Sequence, residues 1–513
     1  MSPMQHDPTT LPAVQPLDAH NRRLLENVHP PAWTNPQPKG KYHLVVIGAG
    51  TAGLVTAAIA SALGARVALI ERSLMGGDCL NVGCVPSKAL LAAAKGWHAA
   101  REAAERWGGP AVTGDGDFGA VMERMRRIRA DLSPVDSAGR FRDELGVDVF
   151  LGSAVFTGED TVEVDGARLH FHRAVIATGA RAFVPPIEGI DASGYLINET
   201  VFSLTARPEH LAIIGGGPIG CELAQAMVRL GARVTLLEAG PRILPKDDPD
   251  AAEIVAGALR RDGVQLMMGA RVDSVAPGGA GMTVRCTQDG ESREIEASHL
   301  LVAVGRAPQV EGLGLEAAGV EFDAKDGVTV DERMRTSNPR IYAIGDVTPG
   351  FHFTHAADAQ ARMVVRNALF FGRGRADHLV IPWATYTAPE VAHVGITAED
   401  AAGNDEVQTI TIPLADVDRA KTDGETEGFL RIHLQAGSDT ILGATLVAPH
   451  AGDVISQVTQ AMTAGIGLGK IGTVVFPYPT LAEALRKAAD AWNRGKLTPA
   501  ARGAFGLFFR ALR

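Results

Sequence analysis

The chain is poor in cysteine: its 513 residues contain four, Cys79, Cys84, Cys221 and Cys286. That is too few for a disulfide-stapled secreted scaffold. It also lacks an excess of positive charge. The 49 Lys and Arg against 59 Asp and Glu leave a net charge of −10, which argues against nucleic acid or an anionic membrane as the main partner. No uninterrupted run of about 18 apolar residues occurs, so no membrane-spanning helix is expected. Met1 to Pro16 is polar and Pro-rich, without the basic-then-apolar order of a signal peptide. A cytoplasmic, reducing location is the resulting expectation. What the chain does have is 58 glycines, 46% apolar and 21% charged residues. That balance fits an α/β protein of about three domains with many tight strand-to-helix turns.

Two of the four cysteines lie five positions apart in Gly76-Gly77-Asp78-Cys79-Leu80-Asn81-Val82-Gly83-Cys84-Val85-Pro86-Ser87-Lys88, ahead of a helix-forming run. A helix beginning near Cys79 would carry both sulfurs in its first turns, where orphan N–H groups and the helix dipole favour a thiolate. Lys88, four residues past Cys84, would share its face and add a second positive charge. The bland alternative is two inert thiols in a Gly-rich turn. Cys221 and Cys286 have no thiol neighbour in sequence and read as structural.

Two glycine fingerprints frame the chain. The apolar run His43–Ile47 leads into Gly48-Ala49-Gly50-Thr51-Ala52-Gly53, a helix over Leu54–Leu63 and a strand over Arg66–Ile70 that ends at Glu71. A strand before, a helix after and an acid 23 residues past Gly48 make this a dinucleotide site. The glycines admit a pyrophosphate to the backbone, the helix N-terminus stabilises its charge, and Glu71 can accept from a ribose hydroxyl. Leu211–Ile214, Gly215-Gly216-Gly217-Pro218-Ile219-Gly220, a helix over Cys221–Leu230 and a strand over Arg233–Leu237 repeat the pattern, with Glu238 again 23 residues from the first glycine. Two such units imply two dinucleotides. Glu238 favours NADH, because a carboxylate repels a 2′-phosphate; Arg242 nearby could pair with that phosphate and keeps NADPH open.

Elsewhere, residues before Lys41 read as an arm with a short helix over Asn21–Asn27, and Trp33 could dock on the body. Ala89–Trp107 and Phe118–Arg140 read as helices, the second with a solvated basic face at Arg124, Arg126, Arg127 and Arg129. Strands are expected around Val147–Leu151, Val162–Val164 and Leu300–Val304, and a β-rich region from Ile381.

The cysteine stretch, with the two fingerprints around it, resembles the redox-active disulfide of the flavoprotein disulfide reductases, the class I pyridine nucleotide-disulfide oxidoreductases. Further motifs support that resemblance: Ala177-Thr178-Gly179, Gly305-Arg306-Ala307-Pro308, Ile341 to Asp346 and Phe353-Thr354-His355-Ala356. It implies two Rossmann-like domains for FAD and NAD(P) plus an α+β dimerisation domain. The boundaries expected are an arm at 1–40, an FAD domain at 41–190 and 306–378, an NAD(P) domain at 191–305, an interface domain at 379–497 and a tail at 498–513. It also implies that Cys84 is the flavin-proximal charge-transfer thiolate, that Cys79 meets substrate, and that Lys88 pairs with Glu222 near the flavin. FAD contacts are implied at Gly77, Lys88, Thr178, Gly179, Asp346, Thr354 and His355, and a cofactor contact at Gly305, where the chain leaves the nicotinamide domain. The subunits of a homodimer would each lend C-terminal residues to the partner's disulfide.

In the family the lent element carries a His that acts as acid/base for thiol exchange and a Glu that orients it. Here Tyr478 stands at the His position and Glu483 is retained. A phenol, with unperturbed pKa of about 10, is a poor base at neutral pH. A Tyr there is similar to the mercuric reductases, although no cysteine follows Cys286 to form their C-terminal metal-delivering pair, and no resident metal site is expected. Three readings stay open: reduction of a metal ion, with Hg(II) leading; reduction of an organic disulfide, quinone or other small oxidant; and a redox-sensing flavoprotein with little turnover.

Overall fold

A computed structural model of the chain describes residues 14–279 and 281–512. Two compact units form. One holds the chain up to Pro241 together with Asp262–Leu379, and the other holds Arg242–Arg261 with the chain from Val380. Within the second unit, Arg431 pairs with Asp248 at 2.6 Å and Asp250 at 2.7 Å, and the Trp383 indole donates to Asp247 at 2.8 Å. These contacts bind 242–261 to the C-terminal sheet, although that segment follows the second fingerprint in sequence.

The first unit contains two nucleotide-type sheets, the larger with a parallel core and an antiparallel edge and the smaller parallel throughout. The larger runs Asp148–Leu151, Val67–Glu71, Lys41–Ile47, Ala167–Ile176, Thr161–Val164, Ala154–Gly158, and Ile341–Ala343 also pairs with Ala167–Ile176. Its central strands are buried on both faces, which is why they read as unbroken apolar runs rather than alternating ones. The smaller sheet runs Gln265–Met268, Arg233–Glu238, His210–Ile214, His299–Val302. An antiparallel meander, Arg271–Gly278, Gly281–Gln288 and Glu291–Ala297, packs its inner face into the same core. The expected helices start three residues earlier than read, at Thr51 and Pro218, because Gly50 and Gly217 take the N-cap positions. In the second unit, five antiparallel strands run Pro382–Thr385, Glu390–Gly395, Ile441–Ala448, Phe429–Gln435, Val407–Pro413. Helices Ala451–Thr463 and Glu483–Gly495 cover their apolar face.

Three expectations need correction. The helix expected over Phe118–Arg140 stops at Leu132; a 3-10 turn Ser133–Asp136 and a short helix Ala138–Asp143 follow, because Pro134 supplies no N–H and breaks the ladder. The arm is not a loose appendage. Its helix spans Ala19–Val28, and Leu24 and Val28 are completely buried in the core under the first fingerprint. Asp18 caps that helix through the Asn21 N–H at 2.8 Å and also accepts from Arg126 at 2.6 Å. Burial alone would raise the Asp18 carboxyl; the Asn21 N–H and Arg126 outweigh it and hold the group below its ordinary range. Nor is the basic face of the long helix wholly solvated. Arg126 and Arg129 are buried, and Arg129 donates to the Asn21 side chain at 2.7 Å and to Asn81 O at 2.6 Å. Burial lowers the Arg129 guanidinium to about 10. Trp33 docks as expected, its indole donating to Val149 O at 3.3 Å under the Arg142 guanidinium. The residues expected as a tail form a helix, Pro499–Ala511, capped by Thr498. The first part of the arm, 1–13, lies outside the described residues.

Because Leu24 sits with no exposure in the first unit's core, Leu24→Ala should cost about 2–5 kcal/mol in urea unfolding. A change below about 0.5 kcal/mol, the level of an ordinary surface substitution, would show that the N-terminal helix does not belong to the folded core.

Candidate functional site

The cysteine stretch folds differently from one continuous helix. Cys79 lies in a short helix, Gly77–Asn81, and Cys84 is the first residue of a second helix, Cys84–Trp107. Val82 and Gly83 leave helical geometry between them, with Gly83 at φ −135°, ψ −109°. On a continuous helix, residues five apart stand about 7.5 Å apart along the axis and about 140° around it, so their sulfurs cannot meet. The break brings the two thiols into hydrogen-bond contact. Asn81 secures the first helix by donating to Met75 O at 3.0 Å and Gly77 O at 2.9 Å, and Arg129 holds Asn81 O in turn. Gly77, at φ +56°, lies against the first fingerprint; a Cβ there would stand 2.6 Å from the Gly50 Cα.

The two thiols are electrostatically unequal. Cys84 is exposed and Cys79 half-buried. The hydrogen bond from Cys79 lowers Cys84 to about 6 against the opposition of burial, with help from the Thr354 hydroxyl at 3.3 Å and the charge of Lys88. The same hydrogen bond, with burial and the charge on Cys84, drives the Cys79 thiol well above its ordinary value. The pairing thus favours the proton on Cys79 and the negative charge on Cys84. Lys88 Nζ donates to Glu222 Oε2 at 2.7 Å, and Glu222 is buried with its side chain 7% exposed. The pair links the cysteine helix to the helix of the second fingerprint.

The fingerprints have matching internal geometry. Glu71 accepts from the Ala49 N–H at 2.6 Å and the Ser73 N–H at 2.7 Å; Glu238 accepts from Gly216 and Gly240, each at 2.6 Å. Each carboxylate thus anchors its own glycine loop. Burial pushes the Glu71 carboxyl up, opposed by those two N–H donors. Gly48, at φ +99°, turns where a Cβ would meet Ala177 O at 2.3 Å, and Gly215 repeats this against Ala303 O at 2.5 Å. Thr51 and Pro218 begin the two helices; Ala52, Gly53 and Gly220 are buried behind the turns, and Ile219 is exposed.

The remaining expected residues fall in both units. Thr178 donates to Gln309 O at 2.8 Å and Gly179 O accepts from the Gln309 N–H at 2.9 Å, so the Ala180–Ala182 and Arg306–Pro308 crossings lie paired side by side. Gly305 O accepts from the Phe183 N–H at 3.0 Å in the same crossing. Asp346 lies in the 3-10 turn Gly345–Val347, where burial raises its carboxyl against the attraction of Arg306 at 3.5 Å. His355 stacks on Phe353 with ring centroids 5.4 Å apart. In the second unit, Tyr478 is exposed and its hydroxyl donates to Asp418 at 3.0 Å, while Glu483 is buried and pairs with Arg486 at 2.8 Å. Tyr478 is therefore oriented by Asp418. Cys221 and Cys286 are completely buried, and Cys221 donates to Gly216 O at 3.3 Å. Among the described residues no cluster of three His, Cys, Asp or Glu side chains could hold a metal ion, and no helix is long and apolar enough to cross a membrane.

Sequence reading missed Arg129 and Asn81, which fasten the cysteine helix, and Asp78 and Arg306, whose ion pair ties that helix to the crossing strands. Only the three-residue spacing of Arg126 and Arg129, matched by Asp18 and Asn21, hinted at the first contact.

Comparison with known proteins places this geometry in a family. Residues 42–361 match the pyridine nucleotide-disulphide oxidoreductase model, and residues 381–489 match that family's dimerisation domain. A mercuric reductase of Streptomyces lividans is 37% identical over 462 residues, covering 88% of this chain and 96% of that protein. One from Bacillus cereus is 35% identical over 94% of this chain and 76% of its own length. A dihydrolipoyl dehydrogenase of Bacillus subtilis (strain 168) is 31% identical, covering 88% and 97%. Among solved structures, the Cu(II) complex of the HOCl-induced flavoprotein disulfide reductase RclA from Escherichia coli superposes with a TM-score of 0.78 at 30% identity, covering 88% and 100%.

The family implies FAD and a pyridine nucleotide, and the residues fit two such groups. Gly50 and Gly217 cap their helices without any side-chain hydrogen bond, so no N-cap side chain competes for the N-terminal N–H groups a pyrophosphate would use. A Cβ at Gly217 would meet nothing within 4 Å.

In reduced protein with Cys221 and Cys286 replaced by Ser, ultraviolet thiolate absorbance should rise with pH through a midpoint near 6 and correspond to one thiolate. Thr354→Val should shift that midpoint upward by about one pH unit, the loss of one hydrogen bond to a charged sulfur. An unshifted midpoint would mean that Thr354 does not stabilise the Cys84 charge.

Proposed function

The chain belongs to the pyridine nucleotide-disulphide oxidoreductases as an FAD-dependent enzyme, and from that premise we propose that it is a homodimeric, NADH-dependent reductase of Hg(II). Bound FAD supplies the two-electron relay between the nicotinamide and the cysteine pair. One NADH and one Hg(II) give NAD⁺, a proton and Hg(0). The observation that carries the reading is the acceptor end: Cys79 paired with an acidified Cys84, and a phenol where the family's disulfide exchangers lend an imidazole.

Dithiol exchange has to return a proton to a departing thiolate, which calls for a base titrating near neutrality. Tyr478 does not meet that need: its bond to Asp418 pushes the phenol above its already high ordinary value. A metal ion takes up no proton on reduction, so the requirement disappears. Hg(II) is soft and suits two thiolates. In this reading Cys79 receives the ion, Cys84 holds the flavin-side charge, and Lys88 with Glu222 positions the flavin edge. Glu71, Asp346, Thr178, Gly179, His355 and the Gly48–Gly53 turn would hold FAD, and Gly215–Gly220, Glu238 and Gly305 would hold the nicotinamide dinucleotide. The matched dimerisation domain supports the homodimer, and the description of the RclA structure as a Cu(II) complex supports a metal ion as ligand.

NADH is favoured because Glu238 stands at the ribose end of the second fingerprint. Arg242, the residue that could have welcomed a 2′-phosphate, is paired with Glu399 at 2.7 Å. A second reading, reduction of an organic disulfide or quinone, is favoured by one observation: no cysteine follows Cys286 to hand on a metal. The likeness to a dihydrolipoyl dehydrogenase points the same way.

A steady-state panel of Hg(II) in excess thiol, lipoamide, glutathione disulfide and quinones, each with NADH and NADPH, tests the proposal. Hg(II) with NADH should give the highest kcat/KM, and Cys79→Ser or Cys84→Ser should each reduce it to background. Inhibition by Hg(II) with turnover of a quinone or disulfide would transfer the assignment to the second reading, and negligible turnover with every acceptor would favour redox sensing.

A further inference from the structure

The strongest unassigned surface is the helix Pro499–Ala511, beyond the matched dimerisation domain, which ends at 489. None of its residues is buried. Phe505, Leu507, Phe508, Phe509 and Leu512 are each more than half exposed, which for a contiguous set of large apolar side chains calls for a partner. At about 100° per residue, Arg502 and Arg510 fall within an arc of about 80°, and the apolar side chains take the rest of the circumference apart from Gly503 and Gly506. Charge is segregated as well. The sequence over 491–513 contains Arg494, Lys496, Arg502, Arg510 and Arg513 and no Asp or Glu, in a chain whose net charge is −10.

We propose that this C-terminal helix lies in the surface of an anionic lipid bilayer, its phenylalanine face in the acyl boundary and its arginines on the headgroup phosphates. Phe505, Phe508 and Leu512 recur at spacings of three and four, so one face can enter the bilayer together. Arginine suits a phosphate layer because its planar fork donates two parallel hydrogen bonds. The alternative occupant, the same helix of a second copy, fits less well. Two such faces in isologous contact would bury the phenylalanines but leave both arginine stripes, about 130° away around the helix, facing outward with no anionic partner in either segment. The acidic balance of the whole chain concealed this local basic patch. Binding of this kind places the enzyme on a membrane without any spanning segment.

The test uses full-length enzyme sedimented with vesicles of phosphatidylglycerol and phosphatidylcholine, and with phosphatidylcholine alone. The full chain should sediment with the anionic vesicles, remain in solution with the neutral ones, and be released at 1 M salt, where the Debye length falls to about 3 Å. Arg502→Glu with Arg510→Glu should weaken partitioning at least about tenfold. Phe508→Asp should do so while leaving far-UV circular dichroism and dimer mass unchanged. A full chain that stays in solution with anionic vesicles overturns the proposal. So does a truncation after Thr498 that turns dimer into monomer, because the helix would then be an interface between copies.

Discussion

Two sulfurs five residues apart must touch, and a continuous α-helix forbids it. The chain resolves this conflict by ending one helix at Asn81 and starting another at Cys84. Everything else at the site follows from that break. It places Cys84 at a helix N-terminus, where the dipole and the Cys79 thiol both favour a thiolate. It points the following helix so that Lys88 reaches Glu222. It also confines Cys79 to a short helix whose position must be secured from outside, since five residues cannot hold a helix on their own.

That outside support comes from the N-terminal arm. Asn21, on the N-terminal helix, accepts from Arg129; Arg129 donates to Asn81; and Asn81 ties down the loop through Met75 and Gly77. Removing one member would leave a buried guanidinium or amide without its partner, which costs more than the bond contributes. The chain of contacts runs from residues outside the nucleotide motifs to the redox pair.

The two nucleotide turns are built alike and differ in what they face. In both, a terminal glutamate gives one oxygen to its own glycine loop and the other to the N–H two residues further on, and the N-cap glycine offers no side chain to the helix N–H groups. The first turn is crowded by Gly77 against Gly50, so it sits directly beside the cysteine helix, whereas the second is open at Gly217. Identical local chemistry thereby stands in unlike surroundings.

The sequence alone determined the α/β class, both glycine turns and the close cysteine pair, while its resemblance to the family supplied the Lys88–Glu222 partnership and the imidazole missing at Tyr478. These are local patterns, with chemistry written into residue type and short spacing, or motifs whose order along the chain is itself informative. Tertiary structure decided the rest: the break between the cysteines, the burial of Arg126 and Arg129, the Asp418 bond to Tyr478, and the docking of the N-terminal helix. A charged face reads as solvated until another element supplies its hydrogen bonds, and those partners lie about a hundred residues away in Asp18 and Asn21. No periodicity encodes such a meeting, because it depends on which surfaces the fold brings together.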